Sequence, residues 1–258
     1  MNYTIWADTD IGIRKKTNQD SLSVRLVDTV QGRMAFAVLC DGMGGLSKGE
    51  VASATVVKAF SNWIDMDLPL LCHAPLQEDT IGIQWRGLLA GLNTKLMNYG
   101  NSQGLSLGTT VVAILVTPTN YYIINVGDSR VYEITDKLVQ ITRDQTVVAR
   151  EISLGRLTPD QAKRDPRRNV LLQCIGASQV LYPEFFFGET NKNAVYMLCS
   201  DGFRHEITPD EIVAGLHPDN LTNVGEMKKK ARHLIELNKY RQEKDNISVA
   251  LIKPEKGR

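Results

Sequence analysis

The sequence predicts an α+β fold, and three observations point to it. Two regular helical stretches fall together in the first half, strand-like runs follow one another in blocks, and the later helices are again grouped. Grouped elements of this kind build layers instead of alternating βαβ units. The N-terminal run Thr4-Ile5-Trp6-Ala7 is apolar, and Ser21 to Cys40 has the look of a hairpin. Ser47-Lys48-Gly49-Glu50 then reads as a capping box, Ser with Glu three residues on. It opens a helix in which Val51, Thr55, Val56, Phe60, Trp63 and Ile64 recur at helical spacing. Asp65 to Asp79, with Pro69 and Pro75, reads as an irregular connection. A second helix carries the apolar stripe Ile81, Trp85, Leu88, Leu89, Leu92 and Leu96, ended by Gly100 and the Gly/Ser-rich stretch to Gly108.

From Ser106 the period becomes that of strands. Thr109 to Val116, Tyr121 to Val126, Val131 to Thr135 and Leu138 to Thr142 are rich in β-branched and aromatic residues and are expected to pair as an antiparallel meander. Residues 145–177 interrupt it with helical stretches, one starting at Thr158-Pro159 with proline in the first position, and form a candidate lid. Strands are expected again at Val170 to Cys174, Tyr182 to Gly188 and Val195 to Cys199. Helices follow near Pro209 to Leu216 and Val224 to Leu237, then a last strand at Ile247 to Ile252.

Lone aspartates stand where these apolar runs meet turns. Phe36 to Cys40 leads into Asp41-Gly42-Met43-Gly44-Gly45, Tyr121 to Val126 into Gly127-Asp128-Ser129-Arg130, and Val195 to Ser200 into Asp201-Gly202. Asp245-Asn246 precedes Ile247 to Ile252, and Asp20 closes Asn18-Gln19-Asp20. An isolated Asp beside Gly is ordinary turn chemistry. Turn chemistry does not, however, require the acid to border a buried apolar run each time. Ionised carboxylates at such rims need a counter-charge or a metal, and the sequence sets no matching Lys or Arg beside them. Oxygen donors without His or Cys suit Mg²⁺ or Mn²⁺, so a two-metal phosphoryl-transfer site is the leading reading.

The composition excludes other classes. Lys plus Arg (30) nearly cancels Asp plus Glu (29), a balance that argues against binding nucleic acid by counterion release. The N-terminus carries no signal-peptide pattern and no stretch is long enough to span a bilayer, so a soluble cytoplasmic protein without membrane insertion is expected. Cys40, Cys72, Cys174 and Cys199 lack C-x-x-C spacing and read as reduced, buried residues. Acidic islands spread over nearly all 258 residues favour one domain, 1–258.

The ordered set Asn18-Gln19-Asp20, Asp41-Gly42-Met43-Gly44-Gly45, Leu107-Gly108-Thr109-Thr110, Gly127-Asp128-Ser129-Arg130, Ser200-Asp201-Gly202 and Asp245-Asn246 resembles the bacterial PPM, or protein phosphatase 2C, family of metal-dependent Ser/Thr protein phosphatases. The resemblance runs from about Asp10 to Ile252. It implies a four-layer α-β-β-α sandwich, two central antiparallel sheets flanked by helices, with a metal cluster at one end. It further implies that Asp41 bridges two Mn²⁺ or Mg²⁺ ions, that the Gly42 carbonyl completes one shell, and that Asp201 and Asp245 hold the other ion. Asp128 would help bind a weaker third ion and Asp20 would orient metal-bound water. Two cations about 3.5–4 Å apart could then aim a bridging hydroxide in line at phosphorus without a phosphoenzyme. Its substrates would be phosphoserine and phosphothreonine proteins, targets of a bacterial Ser/Thr kinase, and it would act as a monomer.

Two positions depart from the family pattern. The phosphate-holding arginine is expected shortly before Asn-x-Asp, where Lys15 has the expected spacing and Arg14 lies one residue upstream. Arg grips phosphate as a fork and Lys as a point charge, and Arg14, with a bulge absorbing the extra residue, is the preferred choice. Met43 stands where many eukaryotic relatives carry a His, and methionine cannot protonate a leaving group. The histidines His73, His205, His217 and His233 are scattered without ligand spacing; His205, four residues beyond Asp201, could approach the site, but a surface or loop role is the preferred reading. Glycines after Asp41 without a following Gly-Lys-Ser/Thr exclude a P-loop. Two rivals remain: a haloacid-dehalogenase-like phosphatase using Asp8 of Asp8-Thr9-Asp10 as nucleophile, and a catalytically weak scaffold that binds phosphoproteins or regulates a kinase.

Overall fold

The segment Gly32–Asp41 is a strand buried from Met34 to Cys40, and a strand hidden on both faces must divide two apolar layers. Its side chains alternate accordingly. Met34, Phe36, Val38 and Cys40 join a core shared with helices, whereas Ala35, Ala37 and Leu39 join a core shared with other strands.

The computed structural model describes residues 1–43 and 48–255. In chain order its strands are β1 (Asn2–Asp10), β2 (Asp20–Thr29), β3 (Gly32–Asp41), β4 (Val111–Val116), β5 (Asn120–Val126), β6 (Arg130–Ile134), β7 (Leu138–Gln140), β8 (Glu184–Glu189), β9 (Val195–Cys199) and β10 (Ile247–Glu255). The helices are α1 (Gly49–Met66), α2 (Leu68–Leu71), α3 (Glu78–Gln103), α4 (Val147–Ser153), α5 (Pro159–Ala162), α6 (Asp201–Arg204), α7 (Pro209–Leu216) and α8 (Val224–Tyr240). Two antiparallel sheets form, ordered β2-β3-β4-β5-β8 and β1-β10-β9-β6-β7. Between them lies the core of Leu39, Ile114, Ile123, Tyr196, Leu198 and Ile252. α1 and α3 cover the outer face of the first sheet through Phe60, Trp63 and Trp85; α7 and α8 cover the second through Ile212, Leu216, Ala231 and Ile235. The result is the expected four-layer α-β-β-α sandwich.

Several local expectations change. The meander is split: β4 and β5 lie in one sheet, β6 and β7 in the other. Gly127 makes the switch possible, because its φ is +109° and a Cβ there would stand 2.6 Å from Cγ2 of Thr110. The chain therefore leaves the first sheet at Gly127 and drops Asp128 at the mouth between the two.

Val170 to Cys174 forms no strand. Only single bridges, Thr146 with Leu171 and Thr109 with Ile175, tie that region down, and Val170 and Leu172 are exposed. The segment is apolar, but it adds a strand to neither sheet. α1 begins at Gly49 with Lys48 as its left-handed N-cap, and Ser47 of the expected capping box lies outside the described residues. α3 runs on to Gly104, whose φ of +62° ends it; Gly100 is buried inside, where a Cβ would meet the Leu105 carbonyl at 2.7 Å. The connection after α1 contains the short α2. The helix start at Thr158-Pro159 forms as the sequence predicts, and the structure closes it with a capping box between Thr158 and Gln161.

All four cysteines are buried and unpaired. Among the described residues no helix is long and apolar enough to cross a membrane.

Trp85 anchors the first outer layer, fully buried with Trp63, Phe60, Phe36 and Phe185 at ring distances of 5.5–6.2 Å. Trp85→Ala is expected to lower the unfolding free energy by about 3–5 kcal/mol, measured by urea denaturation followed by circular dichroism. A loss below about 1 kcal/mol would mean that this layer is not part of the cooperative core.

Candidate active site

The strand ends carrying the aspartates converge. Asp20 opens β2 and Asp41 closes β3, and the antiparallel register sets them directly opposite each other. Like charges in that relation weaken a sheet, so something must offset them. The Asp41 backbone is clamped by the Leu107-to-Thr110 segment. Its N–H donates to Thr110 Oγ1 (3.0 Å), while its carbonyl accepts from Thr110 N–H (2.9 Å) and Thr109 Oγ1 (3.0 Å). Thr110 Oγ1 also lies 2.8 Å from Ser129 Oγ, which ties the Asp128 crossing to the same clamp. Gly42 follows because nothing larger fits: a Cβ would stand 2.5 Å from the carbonyl oxygens of both Gln19 and Gly49.

Asp201 is delivered by β9 and opens α6. Gly202 lets that turn press against the 245–246 turn, since a Cβ there would lie 2.2 Å from the Asn246 carbonyl oxygen. Asn246 is the staple of the site. Its side-chain oxygen accepts from Gln19 N–H (2.9 Å), and its amide donates to the carbonyls of Ile11 (3.0 Å) and Thr17 (3.3 Å). The loop 11–19 is thereby folded over Asp245, with Lys15 Nζ 2.7 Å from Asp245 Oδ1. Arg14 is exposed and, among the described residues, without a hydrogen-bond partner. The expected bulge does not form, because residues 11–19 are loop, and it is Lys15 that turns inward.

The electrostatics follow from this crowding. Burial, then the charges of Asp20, Asp201, Asp128 and Asp245, holds Asp41 well above the usual carboxylate range. Burial, with Asp201 and Asp245, lifts Asp20 to about 7 against the opposing hydrogen bond from Ser248 Oγ (2.6 Å). Burial and Asp201 lift Asp128 to about 7 despite the pull of Arg204. Lys15 is pushed the other way from what its burial alone would do, since Asp245, Asp41 and Asp201 all favour its charged form.

Among the described residues no three of these side chains close into a finished cation cage. They instead surround a shared centre in which Asp20 Oδ1 and Asp201 Oδ1 are buried without any hydrogen-bond partner. Oxygen-only donors, two orphaned carboxylate oxygens and mutual repulsion together fit hard divalent cations, which would relieve all three.

The structure also brings in residues that the sequence left aside. Arg204 Nη2 donates to the Asp128 carbonyl (3.3 Å), and Arg130 holds Asp144 through Nε and Nη2 at 2.7 and 2.6 Å. Cations therefore do flank the acids, close behind Asp128 and Asp201 in the chain. His205 is exposed, as expected, yet it also reaches the acids: its Nδ1 is 3.3 Å from Glu243 and its Nε2 3.7 Å from Asp201. Burial works against its charge, but Glu243 and Asp201 outweigh it and raise its pKa. Glu243 Oε1 in turn accepts from the Lys244 and Asp245 N–H groups (2.6 and 2.8 Å). The signal was the Arg and His directly after Gly202-Phe203, but only packing gives it meaning.

Asp8 lies away from this centre. β1 pairs antiparallel with β10, and the Asp8 carboxylate is held by Arg232, which also binds Asp10 (2.9 Å). A covalent nucleophile followed by βα units is thus excluded. Beside the acids opens a cleft of about 600 Å³, bounded by Lys15, Asp128 and Asp245 on one side and by Val148, Ile152, Ala162, Lys163 and Arg168 on the other. A second cleft of about 640 Å³, near Asp136 and His217, contains none of the expected site residues.

Known proteins share this fold. Residues 13–236 match a family model described as protein phosphatase 2C. The serine/threonine protein phosphatase PstP of Mycobacterium tuberculosis is 30% identical over 247 residues, which cover 95% of this chain and 44% of PstP, so the chain spans less than half of that relative. The serine/threonine phosphatase stp of Listeria welshimeri is 30% identical over 84% of this chain and 83% of its own length. Among solved structures, serine/threonine phosphatase Stp1 from Staphylococcus aureus superposes with a TM-score of 0.85 at 27% identity, covering 99% of this chain and 96% of Stp1. The PstP catalytic domain in complex with two manganese ions gives a TM-score of 0.77 at 26% identity, covering 98% of this chain and 99% of that one. With the model match running through most of the sequence and the sandwich shared from end to end, the chain belongs to the protein phosphatase 2C family.

Proposed function

We propose that this chain hydrolyses phosphoserine and phosphothreonine in proteins with the help of Mn²⁺ or Mg²⁺. The observation that carries this reading is the convergence of Asp20, Asp41, Asp201 and Asp245, two of them with orphaned buried oxygens, beside a cleft that bears Lys15. Asp41, the Gly42 carbonyl, Asp201 and Asp245 would hold two ions. Bound there, the pair supplies Lewis acidity toward a water and a phosphoryl oxygen.

The remaining work falls to the chain. Asp20, whose Oδ2 is fixed by Ser248 and whose Oδ1 is free, accepts a hydrogen bond from the attacking water and orients it. Lys15 holds the phosphate as a point charge above Asp245. The carboxylates are all engaged at the centre, so water attacks phosphorus directly and in line, and no phosphoenzyme forms. Intact ligands at Asp41, Asp201 and Asp245 weigh against the scaffold alternative. Residues 1–258 act as one domain in which 145–177 is a flap, and the cleft beneath it, with apolar Val148 and Ile152 and basic Lys163 and Arg168, suits a peptide segment. Phosphoproteins made by a Ser/Thr kinase are its partners, met by a monomer in the cytoplasm.

Phosphate release from a phosphothreonine peptide is expected with Mn²⁺, to vanish with EDTA, and to fall roughly 10²–10⁴-fold in Asp201→Asn, the range for a group acting at the reacting centre. No release from any phosphopeptide or aryl phosphate by metal-loaded protein would favour the scaffold.

Lys15→Ala is expected to raise KM roughly tenfold or more, the cost of one charged hydrogen bond, while Arg14→Ala changes it less than about twofold. The opposite ranking in steady-state kinetics would return the phosphate to Arg14.

Acid crowding also predicts a pH effect. Folded-state values of about 7 for Asp20 and Asp128 lie above those of the unfolded chain, so the metal-free folded protein binds extra protons between about pH 4 and 7. Its melting temperature should therefore fall as pH rises through that window, and added Mn²⁺ should raise it more at pH 8 than at pH 5. A steady rise from pH 4 to 7 in calorimetry would contradict the crowding.

A further inference from the structure

We infer that Arg204 takes the place of a third divalent cation, so that this chain binds two ions and neutralises Asp128 with its own guanidinium. The inference rests on the two-cation reading above and concerns only what faces Asp128. Asp128 is a buried acid at the crossing between the sheets, where a further ion would be expected to sit. A guanidinium is there already. Arg204, 14% exposed at its side chain, stands with Nη2 3.9 Å from Asp128 Oδ2 and 3.8 Å from Asp144 Oδ2, and donates to the Asp128 carbonyl at 3.3 Å. Asp144 is gripped from its other side by Arg130 through two hydrogen bonds.

These four side chains form a block of two guanidinium and two carboxylate groups whose charges cancel. His205 and Glu243 form a second balanced pair next to it when the imidazole is protonated. The remaining acids, Asp20, Asp41, Asp201 and Asp245, have Lys15 as their fixed cation. Four negative charges against one positive leave three uncompensated. Two divalent ions turn that into a single positive charge, which suits a dianionic phosphate. A third ion at Asp128 would instead stand within reach of an arginine that cannot shed its proton to make room, in a largely buried site where like charges repel strongly. The guanidinium is also hemmed in, with a buried Nε that has no hydrogen-bond partner.

The test counts ions and does not depend on turnover. Purified chain is equilibrated with millimolar Mn²⁺, and bound metal is measured by equilibrium dialysis and native mass spectrometry. Two ions are expected in the wild type, in Asp128→Asn and in Arg204→Lys. Arg204→Ala should acquire a third, weaker ion, which is lost again when Asp128→Asn is added. Three ions in the wild type falling to two in Asp128→Asn would overturn the inference, as would a count that stays at two in a folded Arg204→Ala. If Arg204→Ala fails to fold, the wild type and Asp128→Asn decide alone: equal counts of two support it, and three against two refute it. Wild-type protein that binds no Mn²⁺ would overturn the two-cation reading itself, and this inference with it; three bound ions would leave that reading standing.

Discussion

The constraint on which this structure turns is the repulsion among carboxylates forced to share one end of the sandwich. Asp20 and Asp41 face each other across a ladder, and Asp201 and Asp245 are brought against them by the second sheet. No fold gathers such groups for stability. The sheets can hold them there because their own cores are dense: β3 is buried over seven consecutive residues from Met34 to Cys40, and the layer of Phe36, Phe60 and Trp85 locks it from outside. The apolar layers supply the stability, and the acids draw on it.

Position is fixed by backbone more than by side chains. Gly42, Gly127 and Gly202 stand where a Cβ would collide with Gln19, Thr110 or Asn246. At each, one chain segment touches another main chain or side chain directly, and the neighbouring aspartate inherits the precision of that contact. Asn246 completes the scheme, since its amide joins the loop that carries Lys15 to the turn that carries Asp245. The loop of Lys15 and the turn of Asp245 are therefore tied into one piece.

Asp41, Asp201 and Asp245 were legible in the sequence because two simple signals coincide in them, an apolar run and an abrupt Asp-Gly or Asp-Asn turn. The helices Pro209 to Leu216 and Val224 onward were legible for the same local reason. What failed to show depended on distant partners. Which basic residue turns inward is decided by Asn246, more than two hundred residues beyond Lys15. The switch of sheets after β5 hinges on one glycine, and apolar character at Val170 to Cys174 says nothing about whether the segment will join a sheet. Arg204 and His205 acquire meaning only when Asp144 and Glu243 arrive from elsewhere in the chain.

The pairing of β1 with β10 runs from Asp10 opposite Ile247 to Asn2 opposite Glu255, about 30 Å of ladder. Its first pair borders the acids and its last lies at the far pole of the sandwich. Both ends of the described chain therefore leave from the pole opposite the cleft, side by side. Any linker or partner module joined at either end would hold this domain like a lamp on a stem, the cleft pointed outward and unobstructed.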